Sequence, residues 1–282
     1  MIAEFFLSVS RLALPLMLAA IGGLLSERAG VAQLGLEGMM LLGALTASVT
    51  ALLTGSTWLA LSAAMGAGVA LALIQALFVL RFRSDQIIVG TALNLFVFGL
   101  APFITKILFD TTGSPPPLAP EKMMGLEFYA LAAVLIGLVL YLYYRSIWGL
   151  RLRFAGEAPE VLVSEGLSDV RIRLGALAAC GLLTGLGGAS LTLLISASYS
   201  PMMSAGRGFM ALAAVIFGAW RPVPTLLACL FFALIDAAQI RLQGAVDVPV
   251  QFIQILPYVV TIVALAGFYQ RHSTPKGMGR HG

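Results

Sequence analysis

SIWGLRLRFAGEAPEVLVSEGLSDVRIR, residues 146–173, is the one long polar interval in a chain that is 60% hydrophobic and only 11% charged. Arg151, Arg153, Arg171 and Arg173 stand at its edges, with Glu157, Glu160, Glu165 and Asp169 inside. Short loops rich in Lys and Arg stay on the cytoplasmic side of a membrane, so the segment is expected inside the cell. Its interior reads as a short helix over residues 157–166. Pro159 suits a first helical position, Glu157 and Glu160 suit the positive end of the helix dipole, and Gly166 suits the residue just past the end. A short helix exposed at a membrane surface is a handle for something soluble.

Outward from this segment the chain is a succession of apolar runs of spanning length, about 20 residues each. The mean hydropathy of +0.97 over 282 residues is far above what a water-soluble domain tolerates. An all-α polytopic membrane protein is therefore expected. The first run covers residues 5–25 and ends at Ser26-Glu27-Arg28-Ala29-Gly30. It does not read as a cleaved leader, because Glu4 precedes it, Arg11 interrupts it and no small-residue cleavage site follows. Runs two and three, 36–53 and 58–80, are parted only by the tight turn Thr54-Gly55-Ser56-Thr57. A fourth run reaches residue 107. The Pro-rich stretch 110–127 behind it cannot span, since each Pro lacks the amide proton that a helix interior needs. The fifth run starts near residue 128, and beyond Arg173 come runs near 174–195, 209–220, 223–240 and 252–268. The reading is about nine spans, eight to ten if breaks or re-entrant pieces are counted, in one transmembrane domain over residues 1–270 with a polar tail at 271–282.

Placing 146–173 inside also puts Arg28, Arg81, Arg83, Arg221, Arg271, Lys276 and Arg280 inside by alternation. Only Lys106, Lys122, Arg207 and Arg241 then fall outside, so the expected orientation is amino terminus outside and carboxyl terminus inside. A faint internal echo accompanies this. Gly35-Leu36-Glu37-Gly38-Met39-Met40 is similar to Gly206-Arg207-Gly208-Phe209-Met210, and Leu73-Ile74-Gln75-Ala76 to Leu234-Ile235-Asp236-Ala237. The first copy begins inside and the second outside, as an inverted repeat would have it.

The chemistry the chain lacks narrows its function. Lys106, Lys122 and Lys276 are followed by Ile107, Met123 and Gly277, so no Gly-Lys-Ser/Thr phosphate loop exists. His272 and His281 both lie in the Gly-rich tail, which excludes a His-based metal site or nucleophile–base pair inside the membrane. Cys180 and Cys229 sit in apolar runs as packing thiols. The net charge of +4 reads as membrane orientation and not as nucleic-acid binding. Polar residues within the runs are few. Glu37, Gln75, Asn94 and Asp236 are the candidates to line a pathway. The plainer reading puts Glu37 at the cytoplasmic interface close to Arg28, Asp236 in a pair with Arg241 near a helix end, and Gln75, Asn94 and Gln254 between helices. The Gly-rich run 185–190 lets helix backbones approach closely.

Several stretches together resemble a known family. The 12–44 segment LALPLMLAAIGGLLSERAGVAQLGLEGMMLLGA is similar to the amino-terminal signature of permease subunits of ATP-binding-cassette (ABC) importers in the ribose, branched-chain amino acid and nucleoside group. SDQIIVGTALNLF, GLRLRFAGEAPEVLVSEGL, GRGFMALAAVIFGAW and VPVQFIQILPYVVTIVALAGF resemble the same group, nearest its nucleoside and simple-sugar branch. The resemblance implies a type II ABC importer-like permease of a bacterial plasma membrane. It pairs with a second homologous permease or another copy of itself, with two cytoplasmic ATPases that bind ATP and Mg²⁺, and with an external substrate-binding protein. It also implies that Ala155, Gly156, Glu157, Ala158, Pro159, Glu160, Glu165 and Gly166 form the coupling segment seated in a groove of the ATPase. Ala158 stands where the family commonly has Asn, and Glu160 where a basic or small residue is common. On this view the chain is no enzyme and carries no cofactor or metal of its own, and the solute is a nucleoside, or else a pentose, another simple sugar or a branched-chain amino acid. A secondary carrier driven through Asp236 and Glu37 is the rival reading. A passive channel has no charge ring or filter-like sequence in its favour.

Overall fold

Apolar runs become membrane helices because a helix satisfies its own backbone hydrogen bonds where no water is available. The structure, a computed structural model, describes residues 2–243 and, singly, Ile255 and Val259. Ten α-helices occupy this part: α1 (Ile2–Arg28), α2 (Leu36–Thr54), α3 (Thr57–Ala76), α4 (Gln86–Phe109), α5 (Leu126–Arg145), α6 (Ile147–Glu157), α7 (Pro159–Ser164), α8 (Asp169–Ser190), α9 (Arg207–Phe217) and α10 (Pro222–Leu242). α3 runs on through a π-helical turn to Arg81, and α8 through another to Ser196. No strand occurs among the described residues. Seven of the helices are long and apolar enough to span. The expected run at 209–220 is the 11-residue α9, about 16 Å long and so half a span. Apart from Ile255 and Val259, the expected ninth run, 252–268, together with Gln254 and the tail 271–282, lies outside the described residues.

Polar residues at the run boundaries set where the helices start. Ser56 accepts from Leu59 N, Asp85 from Ile87 N and Ile88 N, and Ser168 from Arg171 N, each meeting backbone donors that a first turn leaves open. The centre of the bundle is α8, which packs against α1, α2 and α3 and is the most enclosed of the spans. Its glycines make that contact possible. A Cβ on Gly181 would meet Gly68 O, on Gly185 it would meet Ala64 O, and on Gly188 it would meet Met40 O. The three positions lie four and three residues apart and form one stripe, the small-residue interface that brings membrane helices together. α5 is the opposite case, with most of its surface exposed.

The polar interval holds two helices where one was expected. Glu157 does not open a helix; it is the last residue of α6. Pro159 disfavours helical backbone at the residue before it, and Ala158 is accordingly extended at φ −152° and ψ 71°. Pro159 then starts α7. Gly166 ends it at φ 72°, with Gly166 N bonded to Val163 O and Leu167 N to Leu162 O in the paired pattern of a Schellman stop.

Candidate functional site

Between α1 and α2 the chain unwinds over residues 29–35, and between α8 and α9 it turns irregularly over 197–206. The two breaks bring a pair of helix starts together. Glu37, in the first turn of α2, accepts from Gly206 N at 2.9 Å through Oε1 and from Gly208 N at 2.7 Å through Oε2, the two donors flanking the first residue of α9. Gly206 adopts φ 79°, which a side chain would resist, and a Cβ on Gly208 would strike Glu37 N. The carboxylate is 3% exposed and lies at the positive ends of both helix dipoles.

The two helices leave this junction in opposite directions. Toward the end of α2, Ala51 O accepts from Lys122 Nζ in the loop before α5, whereas the turn that follows α9 places Trp220 beside Arg28, which also reaches Glu157 at the end of α6. The echoing stretches 35–40 and 206–210 therefore start helices that run opposite ways from one meeting point. The junction also lies deep. Gly38 N donates to Asn94 Oδ1 at 2.8 Å, and Asn94 is eight residues beyond Gln86, the first residue of α4, or about 12 Å along that helix.

This geometry corrects the expected place of Glu37. It is not at the interface beside Arg28, because the unwound 29–35 segment carries the chain back into the bundle before α2 begins. Unwound backbone at such depth needs partners, and polar side chains of the surrounding helices supply them. Gln75 donates to Ala32 O at 3.4 Å, and Asn94 donates to Leu34 O at 2.9 Å while accepting from Gly38. Gln86 accepts from Ala32 N at 2.7 Å, and Ser26 donates to Val31 O at 2.9 Å. Gln75 and Asn94 thus serve backbone. Gln86 and Ser26 belong with them and were not singled out from sequence, where both read as ordinary boundary residues. Cys180 is buried, with Gln33 Nε2 at 3.2 Å, and Cys229 is buried as well.

Asp236 lies in α10, and Arg241 of the same helix lies over the Phe5 ring at 4.9 Å. In the first echo, the polar residue of the later helix is set near the start of the earlier one: Gln75 Oε1 borders Gly35.

The far end of α9 is anchored by two consecutive residues of α1. Arg28 Nε donates to Trp220 O at 2.6 Å, and Trp220 Nε1 donates to Glu27 Oε2 at 2.6 Å. Arg28 uses its remaining fork to reach Glu157 at 2.8 Å. Gly156 makes this approach possible, since a Cβ there would collide with Arg28 O. Arg173 of α8 donates to Ala155 O in the last turns of α6 at 3.3 Å, and is paired within its own helix with Asp169 at 3.6 Å. Beyond Glu157 the loop turns outward. Ala155, Gly156 and Leu162 are buried and hold it in place, while Glu160, Val161, Glu165 and Val163, the last 64% exposed, present a mixed acidic and apolar ridge. No group of three His, Cys, Asp or Glu residues able to hold a metal occurs among the described residues.

The sequence matches a family pattern over nearly all of its length. The pattern of the family described as branched-chain amino acid transport system / permease component covers residues 5–265. The chain belongs to this permease family. Similar relatives include the guanosine ABC transporter permease protein NupQ of Bacillus subtilis, 34% identical over 95% of this chain and 92% of that one. The nucleoside ABC transporter permease protein NupC of Lactococcus lactis is 32% identical over 94% and 92%. The fold agrees with a solved chain described as an inward-facing ABC transporter of metal-chelate type, at a TM-score of 0.54 over 93% of this chain and 85% of that chain, with 14% identity. The permease is a multi-pass membrane subunit of an ABC importer.

Proposed function

We propose that this permease forms the translocation pathway of an ATP-driven importer for nucleosides. The observation that carries this reading is the full-length likeness to two relatives named for guanosine and nucleoside transport. The fuel is supplied from outside the chain, by cytoplasmic ATPases that bind ATP and Mg²⁺. The segment from Ala155 to Gly166 docks on them, and the exposed acidic and apolar ridge around Val163 supports that role. A second permease, homologous or identical, completes the pathway, and an external binding protein delivers the solute. The 146–173 interval faces the cytoplasm of a bacterial cell, in line with the Lys and Arg bias of the loops. Specificity resides largely in the binding protein, because a pathway that gripped its solute would not release it. Gln75 and Asn94 shape the pathway by fixing the unwound backbone, Glu37 by joining the starts of α2 and α9, and Asp236 lines it from α10.

Sugar import is the second reading, supported by a Haloferax volcanii relative named for glucose transport, 36% identical over 81% of this chain. The test is uptake of labelled guanosine and uridine by cells that lack other nucleoside transporters and express the permease with its partner subunits. Uptake displaced by unlabelled nucleosides and untouched by ribose or glucose is expected; displacement by the sugars alone overturns the nucleoside assignment. Orientation is read by an impermeant maleimide on Val163→Cys, since the native thiols are buried. Labelling from the cytoplasmic side only is expected, and labelling from outside overturns the proposed docking role.

A further inference from the structure

Arg28 stands between the polar loop and the half-helix α9, and it is the only residue described that hydrogen bonds through its side chain to both Glu157 and Trp220. Its Nε holds the Trp220 carbonyl while its NH1 holds the Glu157 carboxylate, and a planar guanidinium makes the two bonds geometrically dependent: turning the fork toward one partner turns it away from the other. Trp220 is held a second time by the Glu27 carboxylate on its indole. It needs holding, because Ala219 and Trp220 both adopt left-handed backbone, at φ 50° and φ 54°, where residues with side chains are strained. The turn is 6% exposed at Trp220 and has little room, for Gly218 lies against the Thr225 backbone. α9 is a single rigid rod of 11 residues between this turn and the Glu37 junction deep in the bundle.

From this chain of contacts we infer that Arg28 is a positioning residue that passes displacement of the Glu157 end of the loop to α9, and through α9 to the Glu37 junction. The inference rests on the proposed docking of the loop on the ATPases. When the docked loop moves, Glu157 draws the Arg28 fork, the fork shifts the Trp220 carbonyl, and the strained turn delivers the movement along α9. The Glu157 ion pair is half exposed at its carboxylate, so its worth is as a mechanical link more than as a source of stability. Glu27, on the indole, keeps the turn from collapsing while Arg28 moves.

The experiment uses the complete assembly of permease, ATPases and binding protein in proteoliposomes, and it reads molecules of nucleoside transported per ATP hydrolysed for Arg28→Ala, Arg28→Lys, Glu157→Gln and the double variant Arg28→Ala/Glu157→Gln. Arg28→Ala is expected to lower this ratio at least about fivefold, the lower end of typical couplings between sites. Arg28→Lys keeps the charge and loses the fork, and is expected to fall nearly as far. The double variant is expected to be no worse than Arg28→Ala, because both changes cut one link. A ratio unchanged in Arg28→Ala, or a double variant whose loss is the product of the two single losses, overturns the inference. Crosslinking of Val163→Cys to the ATPase, in the wild-type background and in each variant, separates the two readings. A crosslink retained with an unchanged ratio removes the role of Arg28 and leaves docking in place, whereas no crosslink in the wild-type background removes both. Loss of the crosslink in Arg28→Ala alone shows that Arg28 places the loop instead of transmitting its motion, and that too overturns the inference.

Discussion

Glu37 accepts a hydrogen bond from Gly208 N at 2.7 Å across 171 residues of sequence, so one buried carboxylate joins the start of α2 to the start of α9. Two helix dipoles point their positive ends at that group, and no other side chain in the described residues bonds the two donors.

Replacing Glu37 by Ala leaves Gly206 N and Gly208 N without partners at a cost of about 2–6 kcal/mol, taking each buried orphan donor at its usual penalty. Glu37→Gln keeps one acceptor oxygen and turns an N–H toward the other donor, so its loss is intermediate. The check is thermal unfolding of the detergent-purified permease, with the order wild type, Gln, Ala in falling midpoint.

Asn94→Leu removes the acceptor for Gly38 N and the donor to Leu34 O in one step, and should cost about 2–4 kcal/mol. Asn94→Asp keeps the acceptor but sets a carboxylate against the Leu34 carbonyl, so it should not rescue. Limited proteolysis within residues 29–35 reports the damage directly, because that backbone loses its support: cleavage there should rise in both variants and stay absent in wild type.

Gly188→Val drives a branched side chain into Met40 O and should cost about 1–3 kcal/mol or more from overpacking. Gly99→Ala and Gly137→Ala add a methyl where nothing lies within 4 Å and should be neutral. Yield of monodisperse protein on size exclusion distinguishes them, with loss expected for Gly188→Val alone.

The spans were legible because a membrane helix must be a long apolar run, a property of each segment taken alone. The stop at Gly166 was legible for the same local reason. What escaped the sequence is contact between distant segments. Glu37 looks like an interfacial residue because it starts the second apolar run, soon after the polar break at Glu27 and Arg28, and nothing local shows that residues 29–35 turn back into the bundle. Its partners lie 169 and 171 residues away, and the Trp220 carbonyl held by Arg28 lies 192 residues away. Gln75 and Asn94 were visible as polar groups in apolar helices, but whether they face a pathway or a stretch of open backbone is decided by a segment that looks merely like a connector. The glycines of α8 announced close packing without naming α2 and α3 as the surfaces packed against.

The most direct measurement is nucleoside accumulation by the reconstituted assembly of permease, ATPases and binding protein. Accumulation is expected to require both ATP and the binding protein and to be indifferent to sodium and proton gradients. Accumulation driven by an ion gradient without ATP, and abolished by Asp236→Asn, would overturn ATP-driven import.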